Sequence, residues 1–176
     1  MALIDGLLQE LQQEAQTTRR VLERVPDAHL GWKPHAKSMS LGQLALHVAN
    51  TPGGVAEMAT QPFVELPQFN QPAATKAADL IPALEESVAK ANRLLGGMDD
   101  AALAVTWKVM NGGQEVMAMP RAAVLRAIML NHWYHHRGQL SVYLRLLGVP
   151  VPSIYGPSAD ENPFAASRQV SAAAAL

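Results

Sequence analysis

Four stretches of this chain return an apolar residue at every third or fourth position, the spacing that lines side chains along one face of an α-helix. Leu3, Leu7, Leu11, Ala15, Thr18, Leu22 and Val25 mark the first, predicted over 2–24. Leu44, His47, Val48, Thr51, Val55 and Met58 mark the second, which Ser40 and Gln43 precede with the reciprocal S-x-x-Q cap. Pro52 interrupts that stripe, removes one helical hydrogen bond and clashes with the preceding turn, so a kink or break is expected there. Leu80, Leu84, Val88, Ala91, Leu95 and Met98 mark the third, with Asp79 as its cap, Pro82 in its first turn and Gly96-Gly97 at its end. Leu125, Met129, His132, His136, Leu140, Tyr143 and Leu147 mark the fourth, from Pro120 at its first position to Gly148. One-sided helices bury their stripes against one another, so the expected fold is an all-α four-helix bundle.

The connectors constrain how the helices are joined. "TQPFVELPQFNQPAATK" has three prolines and no helical period, and reads as an extended crossover long enough to let the second and third helices run parallel. Between the third and fourth helices, "VTWKVMNGGQEVMAM" places apolar residues on both sides of Asn111-Gly112-Gly113, a β-hairpin signal. A proline- and glycine-rich arm fills about 149–176 and ends in the low-complexity run "AASRQVSAAAAL". With 176 residues and no internal repeat, the chain is expected to form one domain over 1–176.

Composition removes several functional classes. Fourteen Lys plus Arg against fifteen Asp plus Glu give a net charge of −1, so no global field attracts nucleic acid or an anionic membrane. There is no cysteine, hence no disulfide, thiolate ligand or protein thiol nucleophile. The amino-terminal "MALIDGLLQELQQEAQ" lacks the basic and apolar regions of a signal peptide, and no apolar run is long enough to span a membrane. A cytoplasmic location is expected. H-E-x-x-H, G-x-S-x-G, Walker and dinucleotide motifs are all missing.

The segment "NHWYHHRGQL" carries His132, His135 and His136. Residues four apart on a helix are separated by about 40° around the axis, so His132 and His136 face the same way, whereas His135 is turned by about 60° from one and 100° from the other. His132, His136 and His47 occupy stripe positions where leucine would be expected. A lone core histidine usually bonds a carbonyl or a water, but three facing one core would each cost about 1–3 kcal/mol if left unpaired. One divalent cation satisfies all three, and Zn, Ni, Fe and Mn all accept imidazole. Three protein ligands leave a coordination position for water or substrate, as in catalytic metal sites. His29 and His35, in a polar connector, are expected at the surface.

"SLGQLALHVAN" together with "LNHWYHHRGQLSVYLRLLGVPVPSIYGPSADE" resembles the DinB-like family over nearly the whole chain, from "LGWKP" to "YGPSADE". The resemblance implies a bundle of up-down-down-up topology holding a divalent metal on one histidine of the second helix and an H-x-x-x-H pair of the fourth. Those positions here are His47, His132 and His136. It further implies kinship with thiol S-transferases that use bacillithiol and isomerases that use mycothiol, whose sulfur arrives with the cofactor.

The expected function is therefore a metal-dependent enzyme, a thiol S-transferase acting on small electrophiles, with a metal-dependent hydrolase, a non-catalytic metal- or ligand-binding bundle and a metal-free bundle as alternatives. Trp133, Tyr143, Arg137 and Trp32 are candidate pocket walls, although core packing, ion pairing or capping accounts for each of them better. The expected partners are a small-molecule substrate and a second copy of the chain in a homodimer.

Overall fold

In the computed structural model, which describes residues 2–66 and 71–165, the four periodic stretches are the four long helices of a bundle. Helix α1 spans Leu3–Leu22, α2 spans Leu41–Thr60 and α3 spans Leu80–Leu95. The fourth bundle helix opens over Arg121–Val124, widens into π turns over Leu125–Asn131 and continues over His132–Leu146. Residues 67–70 of the crossover and the low-complexity end from 166 onward lie outside the described residues.

Local chemistry sets the helix starts. Ser40 Oγ accepts the Gln43 N–H at 3.1 Å while Gln43 Oε1 accepts the Ser40 N–H at 2.9 Å, the reciprocal cap expected for α2. Asp79, by contrast, does not cap α3. A 3-10 turn over Ala77–Asp79 leads into the helix, and Asp79 already has helical backbone angles, which turn its carboxylate away from the capping position.

Helix α2 runs through Pro52 without the expected break. Proline supplies no N–H to the carbonyl four residues back, that of Val48, and Trp133 of the fourth helix donates its Nε1–H to that same oxygen at 2.7 Å. The next N–H, that of Gly53, goes to Ser87 Oγ of α3 at 2.8 Å. A Cβ at Gly53 would meet the Ser87 carbonyl at 2.8 Å, so glycine there is required by the close approach of α2 and α3. Neighbouring helices thus satisfy groups that Pro52 and the close crossing leave open. Trp133→Phe is expected to cost about 1–3 kcal/mol by orphaning the Val48 carbonyl, and less when Pro52→Ala restores a backbone donor. Urea denaturation of the single and double variants measures this; a coupling below about 0.3 kcal/mol would break the link.

The hairpin is present as β2, Thr106–Asn111, and β3, Gln114–Pro120, paired antiparallel. Gly112 and Gly113 have φ of 56° and 84°, as a tight hairpin with two left-handed residues requires. The crossover is not wholly irregular, however. Phe63–Glu65 forms β1 and pairs parallel with β2, Phe63 opposite Lys108. The all-α expectation is thereby corrected to a four-helix bundle carrying a three-stranded sheet of order β1-β2-β3. Three residues are too few to show a period, and their partner strand lies far along the chain. A short helix over Asp100–Ala104 joins α3 to β2.

The sheet is fastened to the carboxyl end of α2. Trp107 of β2, fully buried, donates its Nε1–H to the Met58 carbonyl at 2.9 Å, and Arg121 Nε donates to the Ala59 carbonyl at 2.6 Å, so two end carbonyls of the helix find partners. On the other side of the bundle, α1 and the fourth helix share a buried polar cluster that the exposed Tyr155 of the arm covers. Arg137, 1% exposed, pairs with Glu14 at 2.6 Å and donates to Thr18 Oγ1 at 3.1 Å and to the Tyr155 hydroxyl, which in turn donates to Glu14 Oε2 at 2.9 Å.

Candidate metal centre

The deepest line of the fourth helix is Leu125, Met129, Trp133, Arg137, Leu140 and Leu144, not the stripe through His132, His136 and Tyr143. A π turn closes its hydrogen bonds over five residues instead of four, so steps of four from Leu125 to Arg137 stay on one face. His132 and His136 consequently lie beside the core line, half-buried, as does His47 of α2. The three histidines do meet, but at the edge of the core, where a cavity reaches His47 and His132.

Ring centroids are separated by 5.2 Å for His47 and His132, 4.6 Å for His47 and His136, and 4.4 Å for His132 and His136. One ligand atom from each lies within 4.8 Å of the others. His136 Nδ1 is 2.8 Å from Gln139 Oε1, so that nitrogen carries the hydrogen and Nε2 is left with its lone pair. His47 Nε2 is buried and has no hydrogen-bond partner. His132 Nδ1 is likewise buried without a hydrogen bond of normal geometry, although the nearby Ile128 carbonyl favours its protonation.

The nitrogens left without partners suit a cation. His132 Nε2 and His136 Nε2 are 2.7 Å apart, and with His136 Nε2 unprotonated the pair needs either a shared hydrogen or a shared ion. Two imidazoles on one cation, with bonds of about 2.0–2.1 Å, stand about 3 Å apart, so a slight opening accommodates it. Burial holds all three imidazoles below the usual histidine range, His47 at about 4 with the neighbouring His136 and His132 adding to the effect. They are neutral near pH 7, the form that ligates metals. The donor set fits a divalent cation.

His135 is exposed and outside the cluster, and His29 and His35 are exposed in the connector, as expected. None of the four candidate pocket walls lines the cavity at the histidines. Trp133 and Arg137 are buried in the bundle, while Trp32 and Tyr143 pack edge to face at 5.6 Å. The walls are instead His47, Asn50, Thr51 and Met58 of α2, Val64 and Val109 of the sheet with Trp107, and Ile128 and His132 of the fourth helix, around about 480 Å³. The alternating apolar residues of "VTWKVM" carried that signal, but only the attachment of the sheet to α2 turns them toward the histidines. Gln139 was legible as a residue three positions beyond His136 on the same face.

A family model described as the DinB family matches residues 2–166. The uncharacterized protein YrdA of Bacillus subtilis (strain 168) is 28% identical over 165 residues, covering 90% of this chain and 91% of YrdA. Among solved structures, a DinB-like protein from Bacillus cereus ATCC 10987 is similar with a TM-score of 0.67 at 22% identity, over 86% of this chain and 97% of that one. YfiT from Bacillus subtilis, described as a probable metal-dependent hydrolase with an unusual four-helix bundle topology, is similar with a TM-score of 0.62 at 13% identity, over 82% of this chain and 87% of YfiT. The structural likenesses speak for the fold.

Proposed function

The chain belongs to the DinB family, and from that premise we propose that it is a divalent-metal-dependent enzyme that transfers a low-molecular-weight thiol to a small electrophile. His47, His132 and His136 hold one Zn, Ni, Fe or Mn ion. The observation that carries this reading is that two histidines of the cluster, His47 and His132, also line the apolar cavity. A cation held there supplies a Lewis acid and favours thiolate over thiol.

The chain's own residues orient and exclude. Gln139 fixes the tautomer of His136, and burial keeps the imidazoles neutral. Trp107 has its N–H engaged by Met58 and so offers the substrate only its apolar ring. Among the described residues lining the cavity there is no Asp, Glu, Lys or Arg. The only basic side chains among those residues are the histidines assigned to the metal, and a thiol, which ionises more readily than free water, gives up its proton with less help from a base. Its sulfur bonds to the electrophilic carbon, the leaving group departs with the electron pair, and the thiol proton passes to solvent. The description of YfiT favours a second reading, hydrolysis.

The test supplies metal-loaded protein with apolar electrophiles, with and without several low-molecular-weight thiols, beside His132→Ala protein as control. The expected result is conjugation that needs both thiol and the intact site. Rates equal to the control with every thiol would end the transferase reading, and turnover of an ester or amide without thiol would replace it with hydrolysis.

Residue pairs support the up-down-down-up order. Glu10 with Arg126 and Glu14 with Arg137 advance together between α1 and the fourth helix, as do Gly53 with Ser87 and Glu57 with Lys90 between α2 and α3. Ala59 with Arg121 and Val48 with Trp133 run in opposite directions, which sets the metal histidines on an antiparallel pair. The same proposal includes a cytoplasmic location and a homodimer. No helix among the described residues is long and apolar enough to cross a membrane. Val142 and Leu146, one turn apart on the fourth helix and both more than half exposed, offer a surface for a second copy. Sedimentation showing only an 18.9 kDa species would remove the dimer.

A further inference from the structure

Gly54 sits in the middle of α2, where glycine costs helix stability and needs a reason. Gly53 has one, since a Cβ there would strike Ser87. Gly54 does not: its backbone is helical and an added Cβ would meet nothing within 4 Å. At about 100° per residue, Gly54 and Met58 lie about 20° on either side of His47, so Gly54 belongs to the face that α2 turns to the cavity. Gly54 is exposed and borders both this cavity and a shallower depression beside Ser87, so a longer side chain turned toward the cavity would fill its mouth, one turn from Asn50 and two from His47.

We propose that Gly54 determines the size of the substrate site, and that the site takes an uncharged molecule with an apolar body and one hydrogen-bonding group. No Asp, Glu, Lys or Arg is among the described lining residues, so away from the metal at the histidine end a charged body would be desolvated with no counter-charge. The polar group is received at the histidine end. There the Thr51 hydroxyl is already donated to the His47 carbonyl at 2.7 Å, while the Asn50 side-chain amide, at the exposed rim, has no hydrogen-bond partner among the described residues and can exchange water for a ligand group. A volume of about 480 Å³ with a few polar groups at one end has the form of a small-molecule site. This inference deepens the proposed function and rests on it for the reaction, but ligand binding tests it separately.

The experiment follows the ε-methyl NMR signals of Met58 and Met117, two cavity-lining residues, in the full chain with zinc and after its removal. The probes are 1-hexanol, hexanoate and hexylammonium. The alcohol should shift both methyls saturably with or without zinc, and in the zinc-free protein the two ions should bind at least ten-fold more weakly. Gly54→Leu should weaken 1-hexanol binding at least ten-fold while zinc stoichiometry stays the same; Gly54→Ala, a smaller change, should lose 1-octanol before 1-butanol. Unchanged alcohol binding in both variants, or equal binding of the charged probes, would overturn the inference. Zinc binding without alcohol binding overturns the inference alone, and alcohol binding without zinc binding overturns the metal reading alone.

Discussion

Replacement of His47, His132 or His136 by alanine is expected to weaken divalent-metal binding at least about 100-fold, since altering even an outer partner of a metal ligand costs about 10–100-fold. His135→Ala should leave one ion per chain, because His135 is exposed and lies outside the cluster although its ring is 5.0 Å from that of His136. Elemental analysis of untagged protein and competition with a chelating dye measure both. Loss of metal in His135→Ala with retention in His132→Ala would show that the fourth helix presents a different face to α2. Acid should act in the same direction. The cluster histidines titrate below their usual 6.5, His47 at about 4, so protons compete with the metal only as pH falls below 6.5. The sign for the metal-free fold is the same: the unfolded chain takes up these protons first, so stability is full above 6.5 and declines as pH falls toward 4. Metal affinity that rose on acidification across this window would contradict the site.

Arg137→Met should be the most destabilising single change away from the histidine cluster. The Arg137 and Glu14 side chains are 1% and 10% exposed, and removing the cation leaves Glu14 buried without its counter-charge while Thr18 and Tyr155 lose a donor. Breaking a buried pair costs about 3–5 kcal/mol. For a chain of this size each kcal/mol lowers Tm by about 2–4 °C, so a fall of about 6–20 °C is expected in calorimetry. Adding Glu14→Leu should recover much of it, because two apolar residues replace a pair whose desolvation is itself costly. A single-variant cost below about 1 kcal/mol would mean that water reaches the pair. Folded variants should still bind one metal ion, since the pair faces α1 and the histidines face α2.

The four helices, the cap of α2, the hairpin turn and the three clustered histidines can all be read from the order of the residues. Each rests on local spacing: apolar residues at steps of three and four, Ser40 with Gln43, two glycines after Asn111, and an imidazole pair four residues apart. The other features depend on contacts between elements distant in the chain. Strand β1 exists because β2 offers it a partner, and Pro52 remains inside α2 because Trp133 reaches the carbonyl that proline abandons. The π turns slid the buried line of the fourth helix onto Trp133 and Arg137 and moved His132 and His136 to its margin. A residue's place in a stripe depends on the phase of every turn before it, and an inserted π turn changes that phase without changing the apolar pattern. The cavity is likewise a property of the assembled chain, since its walls come from α2, the sheet and the fourth helix, and only their packing leaves the space beside Gly54 open to the histidines.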